Sequence, residues 1–231
     1  PDIVLVILES FTGHILDMPE VMPRLKALSE EGIYFPHFYA NSFRTDRGLV
    51  SILSVYPAQP TASIMKSPSK SQSLPAIARS LRKVGYDTEM IYGGDADFTN
   101  MRSYFYATGY GRVMSCDDFT TEENSARWGV PDHITFTRVE KEIARQTARP
   151  FMKTFLTLSS HEPFDVPMSR LEHPYLNSVA YTDSCLGAFV DTLRQSPLWE
   201  NLLIVFVADH TMRYPAGIQE HEAKRHHIPM V

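Results

Sequence analysis

Cysteine is almost missing from this chain of 231 residues: Cys116 and Cys185 stand far apart, without the spacing of a metal site, and say nothing about redox compartment. A basic excess is missing too. Lys and Arg total 22 against 27 Asp and Glu, a net charge of −5, so nothing favours nucleic acid as a partner. No apolar run approaches the roughly 18–20 residues that a helix needs to cross a bilayer, and no signal-peptide pattern is present. Internal repeats and compositional breaks are absent as well, so a single domain over residues 1–231 is expected, long enough for a sizeable core.

What is present begins with two continuous aliphatic runs. The run at 3–8 (IVLVIL) leads into Glu9-Ser10, and the run at 202–207 (LLIVFV) leads into Ala208-Asp209-His210. Unbroken aliphatic runs of this kind belong to strands covered on both faces, as in parallel sheets. In open α/β sheets, ligands bind at the carboxyl ends of the strands. Two strands thus bring two carboxylates and an imidazole to the edge where chemistry is expected. That donor set suits a divalent metal: Mn²⁺, Zn²⁺ or Mg²⁺, with imidazole favouring the transition metals.

Strand-like and helix-like stretches alternate along the rest of the chain. This predicts an α/β fold with a mostly parallel central sheet and helices on both faces. Helices are expected over 19–31, 46–56, 73–85, 98–107, 132–146 and 174–195, and further strands over 87–92 and 154–158. Residues 33–40 are aromatic-rich and expected to be extended. The stretch 57–72, with Pro57, Pro60, Pro68 and many serines, reads as a surface loop at the site entrance. Pro1-Asp2 enters a strand directly and residues 228–231 begin another, which reads as a fragment truncated at its C-terminus.

Several other side chains carry chemistry. Arg44-Thr45-Asp46-Arg47-Gly48 precedes an apolar helical run and puts Thr45 near a helix N-terminus, where N–H groups and the macrodipole favour an anion. A hydroxyl there, touching a metal, can lose its proton and attack phosphorus; a plain helix cap is its other use. Glu9 likewise suits either a turn cap or a ligand. His161, at the tip of a further strand, is placed for acid–base work, for a phosphate oxygen, or for a backbone hydrogen bond. Arg102 can clamp a phosphate or form a surface ion pair. Trp128 reads first as core packing, and His221, His226 and His227 offer further imidazoles.

Six segments taken in order carry a resemblance: Leu8-Glu9-Ser10, Arg44 to Gly48, Tyr92-Gly93-Gly94-Asp95, Asn100-Met101-Arg102, Ser159-Ser160-His161-Glu162-Pro163-Phe164 and Ala208-Asp209-His210. Together they resemble the alkaline phosphatase–sulfatase superfamily, and within it the lipoteichoic acid synthases and related phosphoglycerol transferases. The resemblance runs the length of the chain. It implies that Glu9, Thr45, Asp209 and His210 hold one divalent metal, usually Mn²⁺ in that branch, with Thr45 as nucleophile. Arg102 and His161 match positions that hold the phosphoglycerol head group. Asn100 stands where the synthases have tryptophan, and Gly93 where they have histidine, so the head-group pocket departs from theirs.

The implied reaction moves phosphoglycerol from an anionic, phosphatidylglycerol-type lipid to the hydroxyl of a glycan or glycerol-phosphate acceptor, through a covalent Thr45 intermediate. His161 would serve as acid and then base. The implied setting is a catalytic domain outside the cytoplasmic membrane, in a parent protein anchored by N-terminal helices. The same residues admit a phosphoethanolamine transferase or an ester hydrolase. A formylglycine sulfatase needs Cys/Ser-x-Pro-x-Arg, which neither Cys116 nor Cys185 provides. A non-catalytic domain binding anionic glycolipid is the remaining reading, and the intact set of four metal-site residues argues against it.

Overall fold

The computed structural model describes residues 1–231. Five strands, β1 (Asp2–Leu8), β2 (Asp87–Tyr92), β3 (Arg112–Met114), β4 (Phe151–Leu156) and β5 (Leu202–Ala208), form one all-parallel sheet in the order β3-β2-β4-β1-β5. The helices are α1 (Pro23–Glu31), α2 (Thr45–Ser54), α3 (Pro68–Ser71), α4 (Ile77–Lys83), α5 (Met101–Thr108), α6 (Asp132–Arg145) and α7 (Pro174–Arg194).

Helices cover both faces, and strand alternation shows how. On β4, Phe151, Lys153 and Phe155 share one face, and Phe155 packs edge-on to Phe136 of α6, itself against Phe189 of α7. The opposite face carries Thr154, whose hydroxyl is 2.8 Å from that of Tyr110, a neighbour of Phe105 in α5. Strand β1 lies between β4 and β5 and is buried from Val4 to Leu8, which is why its sequence is aliphatic without alternation. Its register sets Leu8 opposite Ala208, so the first and last strands of the chain end side by side.

Element boundaries differ from the sequence expectations for local reasons. Strand β4 begins at Phe151 rather than 154, because Lys153 interrupts its apolar run. Helix α1 starts at Pro23, with proline in its first turn, after a hydrogen-bonded turn in which Val21 and Met22 both donate to the Met18 carbonyl. Helix α4 starts only at Ile77, since Pro75 disfavours helix for the residue before it. The expected loop 57–72 includes α3 and a 3₁₀ turn at Ile64–Lys66. The three-residue β3 was too short to register as a period. Residues 33–40 form no strand and make one antiparallel bridge, Tyr39 to His227. Residues 228–231 run antiparallel to β5, where Phe206 and Val231 exchange two hydrogen bonds of 2.9 Å.

Two buried polar devices hold the sheet to α6. Lys153 lies opposite Glu89 of β2, with its ammonium 2.5 Å from the carboxylate and 2.6 Å from Gln146 Oε1. Arg112 reaches the same Glu89 at 3.2 Å and Glu142 at 3.1 Å. At the other end of α6, the buried Asp132 carboxylate accepts the N–H groups of Leu158 (2.8 Å) and Ser159 (3.2 Å) and the Thr182 hydroxyl (2.6 Å). That carboxylate pins the turn on which His161 sits.

Removing one partner of a buried ion pair strands the other charge. Lys153→Met is expected to lower unfolding free energy by about 3 kcal/mol, the low end of that effect because Arg112 remains. Adding Glu89→Leu should recover most of the loss in urea denaturation. A double variant as unstable as the single one would refute this account of the pair.

Candidate metal centre and active-site cleft

Glu9 follows β1 and Asp209-His210 follow β5, and each of the three offers a donor atom within 4.8 Å of the others'. Ser10 takes a left-handed conformation (φ 58°) directly after Glu9, which turns its N–H onto Asp209 Oδ1 at 3.0 Å. The His210 N–H donates to the same oxygen at 2.8 Å. The other oxygen, Asp209 Oδ2, is buried and has no hydrogen-bond partner. Glu9 Oε1 accepts the Ser10 hydroxyl at 2.7 Å. His210 Nδ1 lies 3.1 Å from the Thr211 carbonyl, which fixes that nitrogen as the donor and leaves Nε2 free. Nε2 stands 3.4 Å from Glu9 Oε1 and 3.5 Å from Asp209 Oδ2.

Thr45 joins this cluster from a third direction. It is the first residue of α2, behind an extended Arg44, and no side chain caps the helix. Its hydroxyl instead donates to Glu9 Oε2 at 3.0 Å and lies 3.3 Å from His210 Nε2. The helix approaches this closely because residue 48 is glycine. A Cβ there would come within 2.3 Å of the Asp209 carbonyl oxygen. Glu9, Thr45, Asp209 and His210 are therefore brought together from the ends of two adjacent strands and the start of one helix.

The electrostatics show what this arrangement asks for. Burial pushes the Asp209 carboxyl up, and the adjacent Glu9 charge adds to that, bringing it to about 7. Burial also raises Glu9, but the hydrogen bond and charge of His210 prevail and hold it at about 2. For His210, burial lowers the value, yet Asp209 and Glu9 outweigh it and raise it to about 9. Without a cation, a proton on His210 offsets one of the two buried carboxylates, and the raised Asp209 carboxyl favours taking up a proton of its own. An orphaned carboxylate oxygen, a second carboxylate, a free imidazole nitrogen and a hydroxyl fit a divalent ion in that proton's place.

A cleft of about 480 Å³ opens over the cluster, lined by Glu9, Thr45 and His210 and, further out, by Phe43, Tyr92, Trp128, His161, Arg213 and Arg225. An apolar groove of about 510 Å³ along β5 contains none of the metal-site residues. His161 lines the cleft with Nδ1 2.7 Å from the Glu162 carbonyl and its ring 5.0 Å from that of Trp128. Trp128 is 45% exposed, so it belongs to the cleft wall and not to the core. Arg102 and Asn100 are not among the lining residues. Arg102 is committed to Asp97 (2.9 Å), Asp117 (3.2 Å) and the Ser115 hydroxyl (2.9 Å), the ion-pair use of that side chain. His226 and His227 spend Nε2 on the carbonyls of Glu220 and Pro36. Phe43, Arg213 and Arg225 had no sequence signal: they lie in loops and a three-residue turn, too short for a period to mark a direction.

The sulfatase family model matches residues 1–231. A lipoteichoic acid synthase-like protein of Bacillus subtilis, YvgJ, is 26% identical over 228 residues, covering 90% of this chain and 36% of that protein. The chain thus spans little more than a third of that relative's length. Among solved structures, an alkaline phosphatase superfamily protein from Vibrio parahaemolyticus superposes with a TM-score of 0.89 at 28% identity, over 99% of this chain and 59% of that one. The lipoteichoic acid synthase LtaP of Listeria monocytogenes follows the same fold, with a TM-score of 0.87 at 21% identity, over 99% of this chain and 64% of its own. With every residue from the first strand to the last bridge inside the match, the chain belongs to the sulfatase family.

Proposed function

We propose that this chain is the catalytic part of a membrane-anchored, metal-dependent phosphoglycerol transferase that works outside the cytoplasmic membrane. The observation that carries the reading is the Thr45 hydroxyl, 3.0 Å from Glu9 and 3.3 Å from His210, at the N-terminus of α2. Support also comes from relatives described as lipoteichoic acid synthases. The donor in this reading is a phosphatidylglycerol-type lipid, and the acceptor is a glycan or glycerol-phosphate hydroxyl.

Glu9, Thr45, Asp209 and His210 would hold the cation, Mn²⁺ in the first instance, which when bound lowers the cost of the Thr45 alkoxide and neutralises phosphoryl charge. Glu9 accepts the hydrogen of the Thr45 hydroxyl. The oxygen of Thr45 then attacks phosphorus, forming a Thr–O–P bond while the bond to diacylglycerol breaks. The α2 amides face the phosphoryl oxygens with their positive end. His161 hands a proton to the departing diacylglycerol oxygen, then takes one from the acceptor hydroxyl as that oxygen displaces Thr45, whose oxygen regains its proton from Glu9. Arg102 and Asn100 act through the segment they belong to: the Arg102 contacts to Asp97 and Asp117 hold Thr99 and Met101 on the cleft wall.

Thr45→Ala should keep its metal content by elemental analysis. It should lose the phosphoglycerol adduct in intact-mass spectra after incubation with phosphatidylglycerol and Mn²⁺. Turnover should fall at least about a thousandfold, the scale of losing a nucleophile. Turnover near the parent rate would end the reading.

Metal binding must displace the His210 proton, whose affinity is raised to about 9 in the cation-free cluster. Ligation is therefore hindered below that value and eased as pH rises toward it. Mn²⁺ affinity should increase about tenfold per pH unit between pH 7 and 8 for one displaced proton, and more steeply between pH 6 and 7, where the Asp209 carboxyl, raised to about 7, must also give up its proton, with proton release in calorimetry. A flat pH dependence would show that His210 is not a ligand.

A further inference from the structure

We infer that Arg225 is a phosphate-binding residue of this cleft, its guanidinium taking a non-bridging oxygen of a phosphate group brought to Thr45, with Arg213 assisting at the rim. For the identity of the anion, this inference rests on the phosphoryl-transfer reading above.

Arg225 closes a 3₁₀ turn (Ala223–Arg225) and is 7% exposed. Its guanidinium carbon lies 4.0 Å from the centre of the Phe43 ring, which in turn stacks on His226 at 4.6 Å. One nitrogen, Nη1, donates to the Thr211 hydroxyl and to the Met212 carbonyl at 3.2 Å. Nε is buried without a partner, and Nη2 has no hydrogen bond within the protein. No carboxylate oxygen lies within 4.0 Å of this guanidinium. Thr211 follows His210 directly, so the residue that anchors this guanidinium is next in the chain to a metal-site residue, and Arg225 lies on the wall of the same cleft.

A buried cation without a counter-ion is costly, and proteins rarely keep one without a reason. Burial lowers the basicity of Arg225, Glu220 opposes that, and the like charge of Arg213 lowers it again. Arg213 also lines the cleft, is exposed, and forms no ion pair. A purely structural clamp between Thr211 and Met212 needs only Nη1. On a guanidinium held flat by Phe43, Nη2 is left as the donor open to a phosphate oxygen, with the charge of the group behind it. The contrast with Arg102 is direct, since two carboxylates already occupy its guanidinium.

The test uses the Mn²⁺-loaded chain and three variants, Arg225→Met, Arg225→Lys and Arg213→Gln. Inorganic phosphate and glycerol phosphate are titrated by calorimetry. Arg225→Met should weaken both about tenfold or more, the scale of losing charge-assisted hydrogen bonds, with Mn²⁺ stoichiometry unchanged. Arg225→Lys should fall between it and the parent, and Arg213→Gln should weaken binding about threefold, as befits an exposed pair. If Arg225→Met does not fold, the other two variants decide: parent-like phosphate affinity in both overturns the inference, as it would in Arg225→Met itself. Steady-state assays with phosphatidylglycerol vesicles then separate the two sources of the phosphate. A raised KM for the lipid places the donor at Arg225, and a raised KM for a phosphorylated acceptor places the acceptor there. Weakened phosphate binding in a chain that never forms the Thr45 adduct would uphold Arg225 and reject the transfer reaction. A normal adduct with unaltered phosphate affinity would do the reverse.

Discussion

Two carboxylates, Glu9 and Asp209, are forced together out of water because β1 and β5 pair in register and end side by side. Neither charge would remain there alone, since burial and mutual repulsion both favour protonation. Everything at this edge answers that conflict. Two backbone N–H groups converge on one Asp209 oxygen, and the Ser10 and Thr45 hydroxyls turn toward Glu9. The imidazole of His210 leans between the two acids. The site is a negative pocket built to be neutralised, which is the physical basis for reading it as a cation site.

The second requirement is closeness. Helix α2 delivers Thr45 to the carboxylates because Gly48 lets its first turn rest on the Asp209 backbone. On the far wall, Asp132 ties the turn after β4 to α6 and α7, and so holds His161 at the cleft. The division of labour is plain: strand ends and one helix start supply the rigid donors, while turns and irregular segments supply the cleft wall.

The legible part of this protein lay in residues whose neighbours share their environment. The aliphatic runs before Glu9 and before Asp209-His210 announced parallel strands buried on both faces; both are strands of one parallel sheet, but only β1 is buried along its length, while β5 is the edge strand, with Leu203 exposed and burial complete only from Phe206 to Ala208. Lys153 hid half of β4, because a buried lysine reads as an exposed position until Glu89 is known to lie opposite it. Pro75 hid the true start of α4 in the same way, by a local constraint that the apolar period overrode on paper. Trp128 read as core and stands at the cleft, since burial of an aromatic depends on what packs over it.

From the sequence by itself came the class of sheet, the chemical nature of the strand-end donors and the candidate nucleophile, because hydrophobic period and residue chemistry are properties of short stretches. Only the tertiary structure decided that β5 lies beside β1, that Asp209 keeps one oxygen unpartnered, that Arg102 is consumed by Asp97 and Asp117, and that Arg225 is not. Those facts depend on which distant segments touch, and no local pattern records the pairing of residue 9 with residue 209 or of 211 with 225.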